Sequence, residues 1–399
     1  MPRCDGDGRV SPSDSPTATG RRLTVLVAPD SFKGSLTSVQ VARALAGGWS
    51  RARPDDTLVL CPLADGGEGT LEAIAAAGGW SWRDASVTDP LGRQIPARWL
   101  ADGDGRAAIE MAEASGLSRV AAAERDPIAA TTLGTGELLR IALDAGVSSI
   151  VLGIGGSATT DGGAGLLRGL GAIADRDGAV ADLAGIDERL GRVDLSVACD
   201  VSNPLLGPSG AAAIYGPQKG ASPDDVAELD RRLAGFADAL EDAIGRRVRD
   251  EPGAGAAGGV GFALLAVADR FRSFVLRPGI DLLFEATDFA GRLASADVVI
   301  TGEGRIDAQT GFGKTALGVA RRAAEAGVAC IAVGGGIELG GIEALAASGA
   351  IAVPVVERAQ SIETAMAAGP EPVVRCAERI ARLVSIGLMP GNELPARGA

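Results

Sequence analysis

Along most of the chain, short unbroken apolar runs alternate with stretches of helical periodicity. Residues 23–28 form an apolar run of strand length. The polar loop Pro29-Asp30-Ser31-Phe32-Lys33-Gly34-Ser35 follows, then a helix opened by a capping box at Thr37-Ser38-Val39-Gln40. Residues 57–61 repeat the arrangement, running through Pro62-Leu63-Ala64-Asp65-Gly66-Gly67-Glu68-Gly69-Thr70 into a helix that ends near Ala77. Between about 82 and 110 the runs alternate and are broken by Asp89-Pro90-Leu91-Gly92 and Asp102-Gly103-Asp104-Gly105, which predicts antiparallel strands. A helix near 136–145 leads into a strand at 149–154. A further strand is predicted at 195–199 and a long amphipathic helix at 223–246. The strand–helix pattern returns after Asp281, with strands at 297–301, 329–333 and 351–356 and helices at 315–326, 342–348 and 372–386.

The return of the opening pattern predicts an α/β fold of two domains. Residues 22–90 and 285–388 form a discontinuous parallel-sheet domain, a second mixed α/β domain at 91–284 is inserted into it, and 1–21 and 389–399 are tails, the first disordered. Open parallel sheets bind ligands at the carboxyl ends of their strands, so the loops after Ala28, Cys61, Thr301 and Val333 are the expected functional ones.

Composition narrows the chemistry. With 46 % hydrophobic but only 3 % aromatic residues, aliphatic side chains must build the cores. A net charge of −13 argues against nucleic acid as a partner. The absence of histidine removes Ser-His-Asp systems and histidine-based zinc sites, leaving a carboxylate or a lysine as any general base. The five cysteines are scattered; Cys61, Cys199 and Cys330 lie in strand-like runs and read as reduced core residues. No apolar run has transmembrane length, and the first 21 residues lack the apolar stretch of a secretory signal, so a cytoplasmic protein with no membrane partner is expected.

Several glycine-rich loops carry charged or hydroxyl groups. Lys33 precedes a helix, a setting suited to an anion. Asp65 and Glu68 stand among three glycines. Gly153-Ile154-Gly155-Gly156-Ser157-Ala158-Thr159-Thr160-Asp161-Gly162-Gly163 has the form of a phosphate cradle, and a weak dinucleotide fingerprint leaves a nicotinamide site open. Asp200-Val201-Ser202-Asn203-Pro204 closes a strand, and Tyr215-Gly216-Pro217-Gln218-Lys219-Gly220 follows. The run 253–261 reads equally as a hinge, a packing site or a phosphate lining. Thr301-Gly302-Glu303-Gly304-Arg305-Ile306-Asp307 leads to Gly313-Lys314-Thr315, which opens a helix without the spacing of a P-loop.

Taken in order, Ala28–Ser35, Pro62–Thr70, Asp89–Gly92, Gly155–Gly163, Cys199–Leu205, Gly216–Ala221 and Thr301–Asp307 resemble the bacterial glycerate kinase family over about residues 23–388. Two positions depart from the family pattern, Thr160 where asparagine is usual and Leu63 where methionine is common; neither removes a charge. The resemblance implies two α/β domains, one flavodoxin-like and discontinuous, with the active site between them. It also implies transfer of the ATP γ-phosphoryl group to D-glycerate, giving 2-phosphoglycerate.

The chemistry of the loops then suggests roles. Asp65, Asp200 and Lys33 are catalytic candidates, with either aspartate as base or metal partner. Ser31, Arg305, Asn203 and Lys219 are candidates for substrate binding, with Arg305 as carboxylate clamp. Gly155, Gly156, Ser157, Thr159 and Lys314 are assigned to the nucleotide, and Asp161 and Glu303 to Mg²⁺. The rival readings are a nicotinamide-dependent hydroxy-acid dehydrogenase and a non-catalytic sugar-acid sensor. The oligomeric state is left open.

Overall fold

A computed structural model describes residues 21–174, 180–307 and 315–388. The expectations for Lys314 and for residues 1–20 and 389–399 lie outside this range. The strands are β1 Thr24–Val27, β2 Thr57–Leu60, β3 Ser81–Thr88, β4 Gln94–Ala101, β5 Arg106–Glu110, β6 Ser149–Gly153, β7 Ile173–Ala174, β8 Val180–Asp182, β9 Asp194–Ala198, β10 Ser273–Arg277, β11 Val298–Ile306, β12 Ala329–Ile337 and β13 Ile351–Pro354.

Two main sheets result, as an α/β fold predicts. The first is wholly parallel, in the order β2-β1-β11-β12-β13. Counted within this sheet the order is 2-1-3-4-5, the flavodoxin-like winding, whose switch point lies between β1 and β11. The second runs β10-β9-β6-β5-β4-β3, parallel from β10 to β5 and antiparallel from β5 to β3. The antiparallel part coincides with the turn-broken region of the sequence; β7 and β8 form a separate ribbon.

The chain changes sheet earlier than expected. Strand β3 pairs along its whole length with β4, so a divide at 90/91 cuts a hairpin, and the first crossing lies between Ala77 and Ser81. The divide at 284/285 falls inside the helix Gly279–Ala286, whose Ile280, Leu283 and Phe284 face the first sheet's core. Strands β11 and β12 also run past their predicted ends. Glu303 pairs with Gly334 and Arg305 with Gly336, so two tracts expected to be loops continue the ladder.

Packing is layered. Val25, Val27, Ile300 and Val333 cover one face of the first sheet together with the helices Ser38–Ala52 and Glu371–Gly387. Its other face, with Leu26, Ala28 and Val299, shares a core with Leu100 and Ala108 of the second sheet and with the helices Thr70–Ala77 and Gly279–Ala286 between them. This continuous apolar layer fixes the two sheets relative to one another. Among the described residues no helix is long and apolar enough to cross a membrane.

Candidate active site

The carboxyl ends of β1, β6 and β9 open on one cleft of about 760 Å³. From the first sheet come Asp30, Ser31, Lys33, Asp65 and Glu68; from the second come Gly155, Gly156, Ser157, Cys199, Asp200, Tyr215, Gln218 and Lys219. The loops are brought together by close backbone contact. A Cβ on Gly155 would stand 2.6 Å from the Cα of Gly67, so its glycine serves the approach of the two loops. Glu110, at the end of β5, reaches across and accepts the Leu71 N–H at 2.7 Å, tying the helix after the Asp65 loop to the second sheet. Burial pushes its carboxyl up to about 8.

Three carboxylates meet here in different electrostatic states. Asp65 accepts from Lys33 Nζ at 2.8 Å and from the Gly67 N–H at 3.2 Å. Burial would raise it, but the Lys33 ammonium holds it below the ordinary value. Asp200 accepts from the Gly279 N–H at 3.0 Å; burial, and then the charge of Asp65, push it up to about 6. Asp30 is buried, accepting from Thr315 Oγ1 at 2.8 Å and the Ser31 N–H at 2.5 Å. Burial and Asp65 push it to about 6 as well. Neighbouring carboxylates split in this way separate an ionised group from ones near their titration point, a pattern typical of catalytic sites.

Comparison with known proteins agrees with the architecture. The model of the glycerate kinase family matches residues 25–385. The chain belongs to the glycerate kinase family. It is 45 % identical over 374 residues to the glycerate kinase of Halalkalibacterium halodurans, covering 90 % of this chain and 97 % of the relative. It is 45 % identical over 313 residues to the glycerate 2-kinase of Escherichia coli K12, covering 75 % and 81 %. The crystal structure of the Salmonella typhimurium LT2 protein designated glycerate kinase 2 superposes with a TM-score of 0.78 at 41 % identity, covering 92 % of this chain and 99 % of that one. The chain is therefore a phosphotransferase that uses ATP, with glycerate as acceptor, and neither hydride transfer nor a non-catalytic sensor is supported.

The kinase fold gathers most, but not all, of the residues singled out in the sequence. Ser31, Lys33, Asp65, Gly155, Gly156, Ser157, Asp200 and Lys219 line the cleft. Thr159 is buried behind it, and its carbonyl accepts from Lys219 Nζ. Asn203 braces the wall: its Nδ2 donates to Ser209 O, and its Oδ1 accepts from the hydroxyl of Tyr215, both at 2.8 Å. Asp161, expected at a metal, is occupied structurally. Its oxygens accept from the N–H groups of Thr132, Gly163 and Gly165 at 2.8, 3.1 and 3.1 Å, and from the Thr132 hydroxyl. Glu303 is buried on β11, close enough to support the charge of Lys33. Cys199, expected in the core, is half-buried and lines the cleft. Within the run 253–261 Gly258 packs closely, since a Cβ there would lie 2.0 Å from the carbonyl oxygen of Thr159, while Ala256 and Ala257 line the cleft.

Arg305 stands outside the cleft lining. Its Nε bonds Glu338 Oε1 at 3.1 Å and lies 3.5 Å from Asp307, with most of the side chain exposed. Arg305→Lys should therefore keep kcat/KM for D-glycerate within about two-fold of wild type and the melting temperature within about 2 °C, as for an exposed ion pair. Steady-state kinetics and thermal unfolding check this; a 30-fold loss for glycerate would return Arg305 to the substrate.

Residues missed in the sequence are Asp30, Thr315, Tyr215 and Gln218. Asp30 met the criterion that selected Asp65 and Asp200, a carboxylate directly after an apolar strand. The bond from Thr315 that fixes it spans 285 positions and leaves no local trace.

Proposed function

We propose that this kinase transfers the ATP γ-phosphoryl group to the C2 hydroxyl of D-glycerate, giving 2-phosphoglycerate, with Asp200 as general base and Lys33 as the cation facing the phosphates. The observation that carries the assignment is the unequal state of the two carboxylates. Asp65 is held ionised by Lys33, whereas Asp200, bonded to one backbone N–H and raised to about 6, keeps an oxygen able to take a proton. Phosphoryl transfer depends chiefly on position and charge, and a base near its titration point is ionised at neutral pH yet still basic.

The donor set suits Mg²⁺. Among the described lining residues four carboxylates (Asp30, Asp65, Glu68 and Asp200) face two lysines, so a triphosphate enters an acidic cleft and needs a divalent counter-charge. No group of three acidic or thiol side chains is close enough to hold a metal alone, among the described residues. Mg²⁺ is commonly held by one or two carboxylates with phosphate oxygens and water, and Asp65 with Asp30 can supply that share. When bound, it would draw charge from the transferring phosphoryl oxygens. Lys33 keeps Asp65 deprotonated for that purpose, Thr315 and the Ser31 N–H orient Asp30, and Gly279 orients Asp200. The four described cysteines are unbridged, which suits the reducing cytoplasm where ATP is supplied.

The purified chain should consume ATP only with D-glycerate and Mg²⁺ both present, and ³¹P NMR should identify 2-phosphoglycerate. Formation of 3-phosphoglycerate would overturn the regiochemistry. No phosphoglycerate from folded protein would overturn the reading as a whole.

A further inference from the structure

We propose that Lys219, buried in the wall of the cleft, binds the carboxylate of glycerate and so makes the enzyme choose the acid over an uncharged polyol. The proposal rests on the glycerate kinase reading above and adds the group that selects the substrate. Glycerate differs from glycerol only by its carboxylate, so selectivity requires a cation placed to meet it. Among the described residues the cleft lining contains two, Lys33 and Lys219. Lys33 is already paired with Asp65, and its side chain is largely exposed.

Lys219 is 2 % exposed, so its position is fixed by the fold. The turn Pro217–Lys219 holds its backbone, with Lys219 N–H bonding Gly216 O at 2.9 Å and Gly220 N–H bonding Pro217 O at 3.1 Å. Its ammonium carries three N–H groups, and among the described residues the one acceptor is the Thr159 carbonyl. Among the described residues no carboxylate pairs with it. Asp161 is the charged group in electrostatic range, but its oxygens are taken up by Thr132, Gly163 and Gly165. The hydroxyls of Thr159 and Thr160, both buried, have no partner among the described residues. Buried polar groups are almost always bonded, so a buried lysine in the cleft wall with spare donors marks a place completed by something else.

The completing group is an anion, and a small one. One lysine balances a single negative charge. A polyanionic triphosphate in the same dry position would leave uncompensated charge, which is strongly unfavourable. The triphosphate belongs at the open side of the cleft, with Lys33 and the acidic residues that suit Mg²⁺. Burial, opposed only by Asp161, pulls the Lys219 ammonium down to about 7. Above that pH an unpaired Lys219 is largely a neutral amine, and an arriving carboxylate brings the proton back.

Calorimetric titration of D-glycerate into the full chain tests this at pH 8, in buffers of different ionisation enthalpy. The protein is saturated beforehand with Mg²⁺ and a non-hydrolysable ATP analogue. Wild type should take up as much as about 0.9 proton per glycerate, as expected for an amine titrating near 7. Glycerol should not bind. Lys219→Met should abolish the uptake and raise both Kd and KM for D-glycerate about 30- to 100-fold, while the affinity for the ATP analogue stays within about two-fold. Weaker analogue binding with glycerate affinity preserved would overturn the proposal and move Lys219 to the nucleotide. So would glycerate binding to wild type without proton uptake, a result that needs no variant to fold. In either case turnover by wild type leaves the kinase reading intact; only wild type that neither binds nor phosphorylates glycerate brings down both.

Discussion

Asp200→Asn should lower kcat by about 10²- to 10⁴-fold, the usual range for loss of a general base, while KM for ATP changes little. Asparagine keeps the shape and can still accept the Gly279 N–H, so the 3.0 Å contact that seats the side chain need not be lost. What is lost is the oxygen that takes the proton. In wild type, kcat/KM should fall on acidification with a limb near pH 6. Asp30 and Asp200 both lie at about 6 and both feel Asp65, so that limb belongs to the cluster rather than to one residue. Stability should move the other way. The folded value for Asp200 lies above its ordinary 3.8, so the native state loses stability as pH rises from about 4 to about 6 and stays lower above that. Removing the charge cancels this loss, and at pH 7 the variant should melt at or above the wild-type temperature. A dead variant that also melts early would mean that Asp200 serves the fold; near-normal kcat would remove it from the chemistry.

The opposite signs for activity and stability bear on what could be read from the sequence. Strand β1 was legible because a strand buried on both faces of a parallel sheet is almost continuously apolar, and the half-buried edge strand β2 because Leu58, Val59 and Leu60 run unbroken into Cys61. The loops after them were legible because glycines and acids there have few structural reasons to occur together. Strand β10, Ser273–Arg277, was missed: it lies at the sheet edge, its burial is only partial, and nothing marks it as a core strand. The extension of β11 and β12 through glycine was missed because strand propensity argues against it, and only pairing with each other makes it regular. Arg305 looked like a ligand because its neighbours are glycines; its actual partner, Glu338, lies 33 positions away. Lys219 was singled out for the substrate, but Tyr-Gly-Pro-Gln-Lys-Gly is a turn sequence and nothing in it shows that the lysine is buried. Its burial comes from a loop some 60 positions earlier, whose Thr159 it meets. Local sequence thus identified the loops, while the partners that give each side chain its state came from elsewhere in the chain.

Lys33 tests that dependence most directly, because one substitution should change three carboxylates at once. Its ammonium lowers Asp65 chiefly against burial, and it also opposes the upward shifts of Asp30 and Asp200. Lys33→Met should therefore reduce kcat/KM for ATP by about 10²- to 10³-fold at pH 7, the range for loss of one group that stabilises transition-state charge. Part of that loss is protonation rather than a missing contact. With the cation gone, all three carboxyls should titrate higher, and the acid limb should move above the wild-type position near pH 6. The deficit should then shrink as the pH is raised from 6 toward 9, where the carboxylates are again ionised and only the phosphate contact is missing. Lys33→Arg, which keeps the charge, should restore the position of the limb and recover most of the activity. A deficit that is constant across this range would show that Lys33 acts on the phosphates alone. A limb that moves with little loss of rate would show that it acts on the carboxylates alone. Because the side chain is largely exposed, the fold should tolerate either variant, so the pH profile can be read without a correction for unfolding.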